Sequence, residues 1–214
     1  NFSFLNGASH AEELVLQAKH LGLAALAVTD INTFAGVVRA HGAAKDSGLR
    51  FIVGVRLEME GLSLLAWPTN RKAYGRLCRL LSLGQQRAEK GKCIISLDDV
   101  AEFSEGTIFA LPEEHAAKLH MLEGRLDRLY LALSFRFDGR DRIRMAESAA
   151  MAREQGVPLL AVNNVLYHHP ARRPLQDVIT CIREKVTLAE AGFRLQANAE
   201  RHIERDRTGG NDLQ

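Results

Sequence analysis

Six short apolar runs, separated by segments of helical character, constrain the fold of this 214-residue chain more than any other feature. Most of these runs are continuously apolar, which is typical of strands that are buried on both faces in a parallel sheet covered by helices. We therefore predict an α/β fold, either a barrel or an open doubly wound sheet. The runs are LAALAV (23–28), FIVGV (51–55), LSLLAW (62–67), GTIFAL (106–111), LYLAL (129–133) and LLAV (159–162).

The segments between the runs carry signals for helices. Ser9 precedes one such segment and Glu12 follows three residues later, so we predict a helix over 10–21 that starts with a capping box. Apolar residues recur at helical spacing in 70–82, and a segment rich in Ala, Arg and Met spans 141–155. The second and third runs are joined by only a short connection, which makes this pair the least regular part.

The composition limits the classes of function. The net charge of +2 is too small to indicate nucleic-acid binding by itself. No apolar run approaches the roughly 18 residues that a membrane-spanning helix needs, so we expect no membrane contact. Cys78, Cys93 and Cys181 are odd in number and far apart, which fits neither a zinc site nor a disulfide framework. We therefore expect a cytoplasmic protein.

Chemistry based on a common phosphate-binding or nucleophile motif is not indicated. The chain contains no G-x-x-x-x-G-K-[ST], no G-x-G-x-x-G after a strand, and no G-x-S-x-G. Several runs instead end in polar residues, as in AVTD, LALS and AVNN. The carboxyl ends of barrel strands form the active face, so any hydrolytic chemistry would come from His, Asp and Glu at this face, through metal.

Three acidic residues follow strand candidates. Asp30 ends the first run, where it could bind metal or cap a helix that begins near Thr33 or Phe34, and we favour the cap. Glu113 and Glu114 follow FALP and are predicted to begin a helix, because acidic groups suit the positive end of the helix dipole.

The histidines are scattered. We expect His10, in the first turn of a helix, to be a surface or capping residue. Four others lie on predicted helices without a histidine partner at i+4, and surface or interface roles are favoured for them: His20, His41, His115 and His120.

The stretch LLAVNNVLYHHP is shaped like a metal site but is short of charged ligands. His168 and His169 are adjacent in an extended segment, so they point to opposite sides and do not easily bind one ion. Pro170 keeps His169 extended. Asn163 and Asn164 are neutral amides, which are poor ligands for a catalytic divalent cation compared with carboxylates.

Longer stretches carry a family resemblance. NFSFLNGASHAEELVLQAKHLGLAALAVTDINTFAGVVRAH and NNVLYHHPARRPLQDVITCIREKVTLAEAGFRL resemble the amino-terminal PHP (polymerase and histidinol phosphatase) domain of bacterial C-family DNA polymerases. RRPLQDVITCIRE and AGFRLQANAERH are most similar to the error-prone, damage-tolerant branch. The resemblance implies a distorted, TIM-like, seven-stranded (β/α) barrel whose first strand and opening His-x-His metal motif would lie before Asn1. The chain also lacks an initiator Met, so we expect part of a longer protein.

The resemblance also implies a division of the chain. Residues 1–171 would form the PHP barrel, and 172–203 a helical extension that leads toward a polymerase palm absent from this chain. Residues 204–214 are polar and are predicted to be a disordered tail.

The metal positions of the family are degenerate in this sequence. Where metal-binding relatives carry ligands, this chain has Ile31, Arg56, Gly61, Glu113, Ser134, Asn164 and Leu166. We therefore predict no catalytic residue, no metal ligand and no cofactor in this chain. We also hypothesise that Arg56 pairs with Asp30 or Glu58 and replaces the metal ions as the central charge.

Three functions follow as alternatives. The first is a non-catalytic structural and interaction module of an error-prone DNA polymerase, whose Mg²⁺-dependent palm would add deoxynucleotides during damage-tolerant repair synthesis. Its partners would be the remaining polymerase domains, DNA through the parent enzyme, and other repair or replication proteins. The second is an active metal-dependent phosphoesterase or 3′-5′ exonuclease. The third is a nucleic-acid-binding module that uses Arg71, Lys72, Arg76, Arg79 and Arg87.

Overall fold

Six strands form one sheet in the order β1-β2-β3-β4-β5-β6 in the computed structural model, which describes residues 3–204. Each of the six apolar runs forms a strand, as predicted. The strands are β1 (Ala25–Ile31), β2 (Arg50–Met59), β3 (Leu62–Pro68), β4 (Thr107–Pro112), β5 (Leu129–Leu133) and β6 (Leu159–Ala161).

Helices connect most of the strands. They are α1 (Ala11–His20), α2 (Val37–Ser47), α3 (Arg71–Gln86), α4 (Leu97–Glu102), a 3-10 helix (Glu113–Met121), α5 (Asp141–Glu154), α6 (Arg173–Glu184) and α7 (Leu188–Ala191). Short 3-10 turns cover Pro170–Arg172 and Gly192–Arg194. No helix within residues 3–204 combines the length and the apolar character that crossing a bilayer requires.

The start of α1 differs from the prediction. His10 is the N-cap, and its backbone N–H donates to Glu13 Oε2 at 2.8 Å, so the predicted capping box of Ser9 and Glu12 is wrong. The reason is that the Ser9 hydroxyl is occupied elsewhere, at 2.7 Å from His168 Nδ1.

The sheet is not uniformly parallel. The pairs β1–β2, β4–β5 and β5–β6 are parallel, as the continuous apolar runs predicted. The pairs β2–β3 and β3–β4 are antiparallel, which corrects that prediction. Glu60 and Gly61 alone separate β2 from β3, and two residues can close a hairpin but not the crossover of a dozen or more residues that parallel strands need. Gly61 accommodates the turn with a φ of 68°.

The reversed direction of β3 leaves the other five strands running the same way, so their carboxyl ends lie at one end of the sheet. The strands β1 and β6 form its two edges. A cavity of about 500 Å³ is lined by residues of both edges, among them Val28 and Val162. The chain is thus an α/β, TIM-like half-barrel, which fits the prediction of an incomplete set of strands.

Two apolar clusters hold the elements together. The larger joins β2 to β5 with α3, and its members include the fully buried Leu57, Leu77 and Phe109. The smaller joins α1 to α2 and includes Ile203 from the carboxyl-terminal segment. That segment and α6 therefore pack on the same body as the sheet.

Residues after the sheet are bound to its amino-terminal loop. Gln176 Nε2 on α6 donates to the Asn6 carbonyl at 3.0 Å, and Arg183 Nη1 donates to the Leu5 carbonyl at 3.2 Å. The division between residues 171 and 172 stays a prediction. The predicted tail falls, apart from Glu204, outside the described residues.

Candidate functional site

The carboxyl ends of the parallel strands bring together most positions that the sequence singled out. We call this region the mouth, and it comprises Asp30, Arg56, Glu113, Glu114, Ser134, Asn163 and Asn164. All of these except Glu113 line the cavity between β1 and β6. Leu166 also lines it, whereas Gly61 lies in the β2–β3 turn.

Asp30 is buried and has its own partner. Its Oδ1 accepts hydrogen bonds from the Ser3 backbone N–H at 3.0 Å and from the Ser3 hydroxyl at 2.8 Å. The predicted helix cap is wrong, because Asp30 lies inside β1 and α2 begins only at Val37, with Gly36 as N-cap. This carboxylate closes the amino-terminal loop onto the first strand.

Arg56 stands near two carboxylates. Its Nε lies 2.6 Å from Glu58 Oε1, and its Nη2 lies 3.5 Å from Glu114 Oε1. The hypothesis that Arg56 pairs with Glu58 is confirmed, and the alternative partner Asp30 is replaced by Glu114 among the described residues. The guanidinium therefore bridges β2 to the segment that follows β4.

Glu113 is the most deeply buried charge of the mouth, with a side chain only 2% exposed. It forms ion pairs with Arg144 of α5 and with Arg136, whose Nη2 lies 3.3 Å from its Oε1. The Ser134 hydroxyl donates to the same oxygen at 3.2 Å. The predicted helix start is confirmed as a 3-10 helix that begins at Glu113. Both oxygens of this carboxylate are thus engaged by cations.

These contacts form a chain of alternating charges through the mouth. Its order is Glu58, Arg56, Glu114, Arg136, Glu113 and Arg144. A divalent cation here would meet the guanidinium groups, and a like unit charge at about 4 Å costs roughly 4 kcal/mol at an effective dielectric of 20. A metal cluster at this place would have to displace several of these pairs.

The donor set does not fit the metal cluster that the family resemblance implies. Ile31, Gly61 and Leu166 offer no side-chain ligand at three of the family positions. The backbone carbonyl of Asn164 accepts a hydrogen bond from Arg201 Nε at 2.7 Å, which places another guanidinium at the mouth. The positions of the mouth therefore do not supply the ligand set of the family's metal cluster.

The two adjacent histidines have separate partners. His168 Nδ1 lies 2.7 Å from the Ser9 hydroxyl, and burial lowers the pKa of His168. His169 Nδ1 accepts from the Ala171 N–H at 3.2 Å, and the extended conformation predicted for His169 is confirmed by φ −143° and ψ 144°. Both rings therefore form hydrogen bonds in and around the turn that leads into α6.

Five other histidines lie in the elements predicted for them. His10 is the N-cap of α1, and His20 is its last residue. The remaining three are in α2 (His41) and in the 3-10 helix (His115 and His120).

The basic cluster lies on and just after α3, and internal partners neutralise part of it. Arg76 pairs with Glu105, and Arg87 Nη1 lies 2.7 Å from Asp99 Oδ2. This hydrogen-bonded guanidinium holds the pKa of Asp99 below its usual range. The cluster is therefore in part a structural connection between α3, α4 and the turn before β4.

Several residues with a place in or near the site were not predicted from the sequence. Arg136, Arg144 and Arg201 supply charge to the mouth from α5 and from irregular segments, and no local pattern marks them as interior. Three further residues, Glu200, His202 and Glu204, have potential ligand atoms that all lie within 4.8 Å of one another. The Glu-x-His-x-Glu spacing was the available signal for them.

Comparison with known proteins places these observations in a family context. The family model of the PHP domain matches residues 1–162. The error-prone DNA polymerase of Caulobacter vibrioides is 50% identical over 212 residues, and error-prone DNA polymerase 1 of Agrobacterium fabrum is 47% identical over 210. Each alignment covers 95% of this chain but only 20% and 19% of the respective polymerase. The chain spans about a fifth of the length of these curated relatives.

Solved structures show the same fold at low sequence identity. A proposed metal-dependent phosphoesterase of Bifidobacterium adolescentis has a TM-score of 0.56 and 13% identity, over 76% of this chain and 84% of that protein. An amidohydrolase of Chromobacterium violaceum, solved with sulfate and no metal, has a TM-score of 0.55 and 14% identity, over 75% and 85%. These similarities concern the arrangement of strands and helices.

Proposed function

Because this chain belongs to the PHP domain family, we propose that it is the amino-terminal domain of an error-prone DNA polymerase and acts there as a non-catalytic structural and interaction module. The two polymerases described above support the first part of this proposal through their identity to nearly the whole chain. The second part concerns what the domain does within such an enzyme.

The observation that carries the proposal is the orientation of α6. Leu175, Val178 and Ile182 recur at i, i+3 and i+7, and they are 42%, 42% and 58% exposed. We call these three residues the α6 stripe. The buried residues of the same helix are Gln176, Thr180 and Cys181. An amphipathic helix normally turns its apolar face toward the core, whereas α6 exposes three of its four large apolar side chains and only Ile179 is partly buried.

The partner that fits the α6 stripe is the polymerase body in the same polypeptide. The relatives are several times longer than this chain, so most of each enzyme lies outside the matched region. Leu188 and Phe193, which follow α6, are also exposed. Contiguous exposed apolar surface typically marks an interaction site, and contacts between domains of one chain use such surfaces.

The parent enzyme would carry the chemistry. In this proposal its palm, beyond this chain, binds Mg²⁺ and adds deoxynucleotides to DNA during damage-tolerant repair synthesis, and other repair or replication proteins associate with it. Residues 1–171 form the PHP barrel and 172–203 the extension toward the palm. A cytoplasmic location is in keeping with the free state of Cys78, Cys93 and Cys181.

A test on the full-length polymerase would compare two positions of equal chemistry. Val178→Asp places charge on the α6 stripe, and Val38→Asp is the matched control, since Val38 is 79% exposed on α2. We expect the stripe variant to lower the unfolding temperature and the polymerisation rate of the whole enzyme, and Val38→Asp to leave both unchanged. Equal behaviour of the two variants would contradict the proposal.

The alternative function, a metal-dependent phosphoesterase or exonuclease, is separated by a second measurement. The chain would be assayed for phosphodiester hydrolysis with Mn²⁺ or Zn²⁺, with Asp30→Asn as the control for the mouth. We expect no hydrolysis that depends on Asp30, because the acidic groups of the mouth already have partners. Hydrolysis that Asp30→Asn abolishes would overturn the non-catalytic part of the proposal.

A further inference from the structure

The segment that follows α7 presents two different faces. Arg201 and Ile203 line the cavity, and Ile203 also packs in the smaller apolar cluster. Residues two apart share one face of an extended segment, so Glu200, His202 and Glu204 lie together on the other face. The register is fixed by a parallel bridge between Tyr167 and His202 and by a hydrogen bond of 2.8 Å from the Leu166 N–H to the Arg201 carbonyl.

The imidazole of His202 is oriented as a ligand would be. Its Nδ1 lies 2.9 Å from the Ala199 carbonyl oxygen, which can only accept, so Nδ1 carries the hydrogen. The other ring nitrogen, Nε2, is the one available as a ligand atom, and it lies 3.5 Å from Glu204 Oε1. Metal-binding histidines commonly donate their other ring N–H to a backbone carbonyl in this way.

The contact between His202 and Glu204 is weakly screened by solvent. The side chains of His202 and Glu204 are only 16% and 15% exposed, so water screens them weakly. Two acceptors that face each other in such a place repel unless a proton or a cation lies between them. The contact therefore points to either an imidazolium ion pair or a bound metal ion.

Glu200 adds a second carboxylate to this contact. Its ligand atom lies within 4.8 Å of those of both His202 and Glu204, so two carboxylates converge on one imidazole. Nearby, the Tyr167 hydroxyl is fully buried and has no hydrogen-bond partner among residues 3–204.

We propose that Glu200, His202 and Glu204 form a site for one divalent transition-metal ion, with Zn²⁺ as the best match, separate from the mouth. Imidazole and carboxylate at metal distances of about 2.0–2.2 Å are the ligands that zinc uses, and a fourth position is left for water. Among residues 3–204 this is the one group of three or more such side chains that converge. The ion would hold the carboxyl-terminal segment against Tyr167 and the edge of the sheet.

The experiment is a zinc titration of the 214-residue chain after treatment with EDTA. Calorimetry and metal analysis should give one Zn²⁺ per chain. His202→Gln should weaken binding by at least about 100-fold, the upper end of what loss of an outer-sphere contact alone costs. Glu204→Gln should also weaken it. The matched control is His20→Gln, since His20 is an exposed histidine at the end of α1, and it should bind zinc like the parent chain.

Thermal unfolding makes the result independent of any activity. Zinc should raise the unfolding temperature of the parent chain and of His20→Gln, but not that of His202→Gln. Co²⁺ in place of zinc should give visible absorption bands of a low-coordinate site, and His202→Gln should remove them. The unfolding temperature of each variant in EDTA shows whether it folds.

Two results would overturn the proposal. If the chain takes up no zinc and His202→Gln lowers its unfolding temperature in EDTA, the contact is an ordinary imidazolium–carboxylate pair. If zinc binds equally well to His202→Gln, the site lies elsewhere. Zinc that Asp30→Asn removes would place it at the mouth, and would count against the proposed non-catalytic function instead.

Discussion

The mouth and the outer side of α6 depart from the usual distribution of residues in opposite ways. The mouth buries charge, with Glu113 almost fully enclosed, whereas the α6 stripe exposes Leu175, Val178 and Ile182. The charges of the mouth are neutralised by residues of this chain, because each carboxylate of the alternating series forms an ion pair with a guanidinium group. The α6 stripe, in contrast, is left exposed by the rest of the described residues.

The difference teaches where each feature should be measured. Removing one partner of a buried ion pair lowers the stability of the chain that contains it, because an uncompensated charge is left behind. An exposed apolar stripe contributes little to that stability and shows its value only when a partner covers it. Stability of the chain alone should therefore respond strongly to changes at the mouth and weakly to changes on the α6 stripe.

The largest effect is expected from Arg144→Met. This variant removes one of the two cations that contact Glu113, so the free energy of unfolding should fall by about 3 kcal/mol, the lower end of the range for a broken buried pair. The lower end applies because Arg136 remains 3.3 Å from Glu113. Urea denaturation followed by circular dichroism gives the value.

Two further variants test the cause of that loss. Arg142→Met removes an exposed arginine from the same helix and should change stability by no more than about 0.5 kcal/mol. The double variant Glu113→Met with Arg144→Met should recover much of the loss, because the buried carboxylate of Glu113 is removed together with its partner. A double variant as unstable as Arg144→Met would show that packing, not charge, is responsible.

The sequence predicted the location of the mouth and the pair of Arg56 with Glu58, but not the partners of Glu113. Asp30 lies near the carboxyl end of β1, Glu113 and Asn164 follow strands, and parallel strands necessarily bring their carboxyl ends to one side. The arginines that neutralise Glu113 could not be predicted, because Arg136 and Arg144 come from a loop and from α5, more than twenty residues beyond Glu113. Such partners depend on tertiary packing, which leaves no local periodicity in the sequence.

The next effect should come from the inner side of α6. Gln176 is buried, and its amide donates to the Asn6 carbonyl at 3.0 Å. Gln176→Leu keeps the size of the side chain but leaves that carbonyl without this donor, so unfolding should become easier by about 1–2 kcal/mol. Gln85→Leu on α3 is the exposed control. If Gln176→Leu stabilises the chain instead, the polar inner side of α6 is not what attaches the helix.

The fold was largely predictable where a signal is local. Six apolar runs gave six strands, because continuous burial selects the same residue types in each strand. The direction of β3 and the cap of α1 were not correctly predicted. Strand direction depended on a two-residue turn, and the cap depended on a contact of Ser9 with His168, 159 residues away in the chain.

A smaller effect is expected at Arg56. Its side chain is 22% exposed, and both Glu58 and Glu114 are 37% exposed, so solvent screens these pairs more than the pair of Glu113. Arg56→Met should cost about 0.5–1 kcal/mol, and about 1 M NaCl should remove most of the difference between parent and variant. Unchanged stability at low salt would show that Arg56 does not hold the strand ends together.

The smallest effect on the chain alone should come from the α6 stripe. Ile182→Ser replaces an exposed apolar side chain, so the free energy of unfolding should change by no more than about 0.5 kcal/mol. The same substitution should raise the solubility of the chain, because it removes apolar surface that would otherwise be open to self-association. A loss of about 2 kcal/mol or more, the size typical of a deleted core side chain, would mean that the α6 stripe is covered within this chain. The contrast with the mouth would then disappear, since both regions would be satisfied internally and neither would call for a polymerase body.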